Sequence, residues 1–279
     1  MANEEVKILL PEKNINNNYY NNIANIYDQT RWLTKPIAEE VADLILGLVS
    51  ATPETSFLEP GVGTGLNVLP LVERGYSVTG IDISQEMLDQ FRQKLNGTPS
   101  NLQLIHADAS KLPFPDDSFD VVITVHMLHT VSDWRAFLND IRRVLKPRGF
   151  YLNCQWITPP ARQEFECHFR AILAKYETPK QDVNCMGMTE QEIDVEGYFR
   201  NQGVESDYRI AKEWTVSNTV NELLNCFRAR AYGLCWRVSN EIFQSIMNEF
   251  EEFCVNHYGS LEKTLSSKAK FEIWAYRSI

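Results

Sequence analysis

Three acidic residues stand at spaced points of the chain: Glu59 in FLEP, Asp82 in GIDIS and Asp108 in IHADAS. Each closes an apolar run with strand character, and Glu59 is followed at once by the glycine-rich turn GVGTG. A turn with Gly61, Gly63 and Gly65 lets backbone approach a ligand closely, as nucleotide-binding turns do after a strand. It is not a triphosphate loop, because no lysine follows it. It also departs from the dinucleotide fingerprint, since Leu66 occupies the place of the third glycine. Asp82, 17 residues after Gly65, suits the two hydroxyls of a ribose. A carboxylate at Glu59 would repel a pyrophosphate but pair with an α-amino group, directly or through water. Asp108 is placed to accept from an adenine amino group. Three acids at three successive strand ends suit a cationic, phosphate-free nucleoside.

Two histidines in VHMLHTVSDW carry the other chemistry. His126 ends a strand and His129 follows three residues on, and both are eligible as bases near neutral pH. His126 is equally suited to hydrogen-bond a bound ligand, and His129 to pack or cap the loop. Tyr20 and Tyr27 lie on an amphipathic N-terminal segment, where they either line the site or pack. His106 lies inside a strand and reads as structural; His168 and His257 fall in helices and read as packing or surface residues. The six cysteines are scattered without a C-x-x-C pair, so no metal site and no disulfide framework is expected.

The elements that must position these residues alternate. Apolar runs at 55–59, 76–82, 101–108, 118–126 and 149–156 predict strands, separated by helical patterns at 65–75, 84–97 and 133–149. The run SFDVVITVH has no polar alternation and implies burial on both faces, as in a parallel sheet. A helix from Pro36 to about Val49 precedes them, and Tyr20, Ile23 and Tyr27 suggest another upstream. Beyond residue 157 helices dominate (160–202 with a loop at ETPKQDVNCMGM, then 221–233 and 240–259), with further strands at 204–217 and 270–278. The pattern predicts an α/β, doubly wound sheet with its ligand crevice at the strands' carboxyl ends.

The motifs LEPGVGTG, GIDIS, HADASKLPFPDDSFDVV and LKPRG, in this order over residues 55–155, resemble those of class I S-adenosylmethionine-dependent methyltransferases. The similarity is nearest to the group holding the ubiquinone/menaquinone-biosynthesis enzymes, and the C-terminal third more loosely resembles the trans-aconitate methyltransferase type. The resemblance implies a Rossmann-like seven-stranded sheet with its last strand antiparallel. It implies that S-adenosylmethionine is the cofactor and that Gly61, Gly63 and Gly65 allow its close approach. It also implies that Asp82 binds the ribose diol, Ile83 and Met87 cover the adenine, and Asp108 with Ala109 reads the adenine edge. Pro60 departs from the common pattern and removes one N–H from the turn.

The expected organisation is N-terminal helices over 1–50 capping the cofactor, a core over 51–157, and lid helices with the last two strands over 158–279. The lid aromatics (Trp156, Phe165, Phe169, Tyr176, Trp214, Phe227, Tyr232 and Trp236) suit an aromatic or apolar acceptor, or hold the lid together. Arg228 and Arg230 are candidates for an acceptor carboxylate or for solvent. The net charge of −10 argues against nucleic acid as a partner. With no basic leader and no apolar run long enough to span a bilayer, a cytoplasmic monomer or homodimer is expected. The expected activity is methyl transfer to a small molecule, at O or N ahead of C. The alternatives are a tRNA or protein acceptor, or a non-catalytic cofactor-binding protein.

Overall fold

The computed structural model describes residues 15–95, 99–177 and 193–277. Helices α1 (Ile15–Ile23) and α2 (Lys35–Leu48) precede strand β1 (Ser56–Pro60). There follow α3 (Leu69–Glu73), β2 (Ser77–Asp82), α4 (Gln85–Gln93), β3 (Leu102–His106) and β4 (Phe119–Val125). The chain continues through α5 (Trp134–Val144), β5 (Leu145–Ile157), α6 (Pro160–Tyr176), α7 (Val195–Arg200), β6 (Ser206–Thr219), α8 (Val220–Arg228), α9 (Asn240–Tyr258) and β7 (Thr264–Arg277). The loop expected at ETPKQDVNCMGM falls almost wholly outside the described residues.

The seven strands of the described residues form one sheet in the order β3-β2-β1-β4-β5-β7-β6. β1 to β5 run parallel and β7 is antiparallel to β5, so the Rossmann-like, doubly wound sheet expected from the sequence is present. Neighbouring residues feed opposite faces: Phe57, Val121 and Leu152 enter one apolar cluster with α2, whereas Leu58, Val122 and Tyr151 enter another with α5 and α7. That period of two buries both faces of the sheet. The strand order reverses between β1 and β4, which marks the switch point where a crevice opens in such sheets.

Some boundaries moved for local reasons. The helix expected over 65–75 contracts to α3, because Pro70 is tolerated in a first turn but not further in. The helix expected to reach Gly149 stops at Val144. Lys146, preceding Pro147, is biased to extended backbone, and Arg148 takes φ +68°. Tyr27 lies in the turn after α1, with the Arg31 guanidinium 4.0 Å from its ring centre.

The chain divides into two compact units, one of residues 20–157, 190–214 and 269–279, the other of 1–19, 158–189 and 215–268. The second is helical, and its core is aromatic: Phe165, Phe169, Phe227 and Phe250 are all buried against one another, with Phe169 and Phe227 centroids 4.5 Å apart. Phe165, Phe169 and Phe227 therefore hold this unit together. Arg228 is bound by Glu251 at 2.8 Å, while Arg230 lies 4.1 Å from the Phe243 ring centre and donates to Asn240.

Candidate functional site

The end of β1 places Glu59 wholly inside the protein. Asn67, just before α3, donates to Glu59 Oε1 at 2.7 Å, and Oε2 has no hydrogen-bond partner. Burial raises the Glu59 carboxyl to about 8, with a smaller push from the Asp82 charge and a counter-pull from Asn67. A carboxyl in this setting is a neutral acid near pH 7 until a cation reaches its unpartnered oxygen.

The turn between β1 and α3 is fastened from both sides. Gly61 and Val62 N–H both donate to Ile81 O of β2, at 2.8 and 2.9 Å. Gly63 N–H donates to Asp82 Oδ2 at 2.7 Å, and Ser84 N–H to Asp82 Oδ1 at 2.9 Å. Those bonds oppose the burial that otherwise raises the Asp82 pKa, and they fix its carboxylate at the tip of β2. The three glycines have positive φ but different surroundings. A Cβ at Gly63 would meet nothing within 4 Å, so the backbone there is open to a ligand. A Cβ at Gly65 would lie 2.4 Å from the Phe91 ring, so this glycine admits α4 to the turn, the packing service of a third dinucleotide-fold glycine. Gly61 faces the Met127 side chain.

The Pro60 ring costs the sheet no hydrogen bond. Gly61 N–H points to β2, so by strand alternation the Pro60 nitrogen faces β4. Pairing with β4 extends only over Phe57–Val121 and Leu58–Val122, and no ladder bond is lost.

Further along the strand tips, Ile83 is half-buried and its carbonyl lies 2.9 Å from His106 Nε2. Met87 and Ala109 are buried. Asp108 is exposed and accepts from Ser110 N–H at 2.8 Å. Tyr20 is half-buried on α1. A residue outside the sequence motifs, Asp28, accepts from the Thr64 hydroxyl at 2.5 Å and pairs with Lys94, which donates to Thr64 O at 2.7 Å. The segment after α1 is thereby tied to the glycine turn.

His126 follows β4 with φ +50°, a strained conformation for a non-glycine residue. Its Nε2 accepts from Trp156 N–H at 2.7 Å and lies 2.9 Å from Trp156 O. The imidazole is reached by solvent yet hemmed in by protein; that crowding, and next the neighbouring His129, hold its pKa down at about 4. His129 is likewise solvent-reached, its pKa lowered by its surroundings. The described residues thus bring Glu59, the glycine turn, Asp82 and the Met127 loop with its flanking histidines together at the switch point. Asn67, Met127 and Asp28 were not among the residues expected from sequence.

The site fits a sulfonium amino-acid nucleoside. It offers an unpartnered buried carboxylate oxygen for an ammonium, an anchored acid at the second strand, and backbone open at Gly63. Residues 58–153 match the family described as "Methyltransferase domain". A demethylmenaquinone methyltransferase of Clavibacter sepedonicus is 31% identical over 157 residues, covering 55% of this chain and 64% of the relative. The chain thus spans slightly less than two thirds of that relative's length. Among solved structures, the cyclase SpnF has a TM-score of 0.57 at 16% identity, over 96% of this chain and 97% of its own. A putative methyltransferase of Bacillus halodurans has a TM-score of 0.54 at 16% identity, over 85% of this chain and 98% of its own. Motifs, sheet order and family match agree: residues 58–153 match a methyltransferase domain, and the chain carries the class I S-adenosylmethionine-dependent methyltransferase fold.

Proposed function

We propose that the protein transfers a methyl group from S-adenosylmethionine to a small-molecule acceptor, at oxygen or nitrogen ahead of carbon. The observation that carries this is the Glu59 carboxyl, buried beside the glycine turn with one oxygen unpartnered. Bound there, S-adenosylmethionine supplies a methyl group already activated on a sulfonium.

The chain's own residues then orient and protect. Glu59 takes the amino group, Asp82 receives the ribose hydroxyls, and Ile83 and Met87 flank the base, with Asp108 and Ala109 at its edge. Asp28 and Lys94 hold the upstream segment on the turn and help exclude water. His126 has its Nε2 engaged by Trp156 N–H and serves to shape the loop. His129 is the better base for a hydroxyl or ammonium acceptor, because its ring has no backbone donor bound to it among the described contacts. Trp156 and Trp214, which lie outside the helical core, suit an apolar or ring-bearing acceptor. The relatives are named for demethylmenaquinone, an acceptor worth assaying first. None of the described helices is long and apolar enough to cross a membrane.

Fold alone does not separate transfer from other uses of the cofactor. Purified protein is therefore incubated with methyl-labelled S-adenosylmethionine and a panel of phenols, amines and demethylated quinones. Label in an extractable product supports the proposal. A thermal shift with cofactor but no label in any product supports binding alone, and neither response rejects both.

A further inference from the structure

The helical unit holds a group of side chains outside every methyltransferase motif. Glu164 and His168 lie one turn apart on α6, and His257 lies on the last turn of α9. The fold brings them together: one ligand atom from each lies within 4.8 Å of the others. His168 Nε2 is shut off from solvent without a hydrogen-bond partner, its nearest carboxylate oxygen, Glu164 Oε1, being 3.9 Å away. Glu164 and His257 are exposed.

Ring packing explains only part of this. His257 stacks on Phe253 at 5.0 Å, and the two imidazole centroids are 4.9 Å apart. Packing gives no reason for a shielded, unsatisfied ring nitrogen to sit beside a carboxylate and a second imidazole. A cation does, because it satisfies all three at once. We propose that Glu164, His168 and His257 bind one divalent transition-metal ion of the zinc class, clamping α6 to α9. The donor set is two nitrogens and one oxygen, which suits zinc above calcium or magnesium. Tetrahedral bonds of about 2.0–2.1 Å place ligand atoms roughly 3.4 Å apart, so the exposed side chains close in by about an ångström. Three protein ligands leave the fourth position to water.

The clamp has a counterpart. Farther along α6, Lys175 pairs with Glu249 of α9, and Tyr176 donates to the same carboxylate at 3.1 Å. The pair of helices is thus joined by charge at one end and, on this proposal, by metal at the other.

The test uses the full chain, stripped of metal with chelator, titrated with zinc by calorimetry and with cobalt by visible absorption. The expected result is one equivalent bound, a raised melting temperature, and a cobalt spectrum without a thiolate charge-transfer band. H257Q and E164Q, which melt like the parent in chelator, should each lose more than the ~10–100-fold affinity that an outer-shell partner typically contributes. No stoichiometric binding, affinity unchanged in both variants, or a thiolate band from the cysteines would each overturn the proposal. Acceptor turnover is not among the readouts, so failure here is separable from failure of the methyl-transfer proposal.

Discussion

Asn67 donates to one oxygen of Glu59 and leaves the other bare, in a place that water does not reach. The asymmetry makes Glu59 a proton reservoir that a cationic ligand must empty. With the free carboxyl at about 8, binding of S-adenosylmethionine at pH 7 should release a proton. Affinity should then rise with pH by up to about tenfold per unit, levelling above 8. Calorimetry in buffers of different ionisation enthalpy measures that proton directly, and Glu59→Gln should flatten the profile.

Glu59 also links pH to stability. Its folded pKa exceeds the unfolded value, so the folded state holds the proton more tightly. Between about 4.5 and 8 the unfolded chain releases it first, and this group's contribution to stability falls by roughly 1.4 kcal/mol per pH unit, then levels. Glu59→Gln should therefore melt higher than the parent at pH 9 and nearly equal at pH 4.5, while binding cofactor more weakly. Denaturant titrations at the two pH values decide it.

Asp82→Ala strands two backbone N–H groups, at Gly63 and Ser84. A loss of about 1–3 kcal/mol in stability is expected. The variant should also lose the melting-temperature rise that millimolar cofactor gives the parent.

Gly63 and Gly65 should separate ligand space from packing. Gly65→Ala drives a methyl into the Phe91 ring and should cost about 1–3 kcal/mol or more. Gly63→Ala has room and pays only for its left-handed backbone, about 1–2 kcal/mol. It should nevertheless weaken cofactor binding at least as much as Gly65→Ala does. Equilibrium unfolding paired with cofactor titration tests the contrast.

For the histidines, single-turnover rates with saturating cofactor are the measure. His129→Gln should lower the rate about 10²–10⁴-fold and remove the acidic limb of the pH profile. His126→Gln should have a smaller effect on the rate.

The strands and the acids at their tips were legible because each is signalled locally: an apolar run, a turn, a terminal carboxylate. Asn67 was not, since an amide eight residues past Glu59 carries no pattern until the turn folds it back. The same holds for Asp28, whose bond to Thr64 spans 36 residues. Gly65 was visible as a glycine, but its occupant, Phe91, comes from another helix. His168 and His257 read as separate packing residues because only the pairing of α6 with α9 gives them a common neighbour.

The β1–β4 ladder ends early, at Leu58–Val122. Two adjacent parallel strands with free N–H and C=O groups tend to go on pairing, and every further bond here would seal the cleft from within. Pro60, with no hydrogen to give on that side, works as the stop at the end of a zipper. Pro60 thus reinforces an opening that the reversal of strand order already provides.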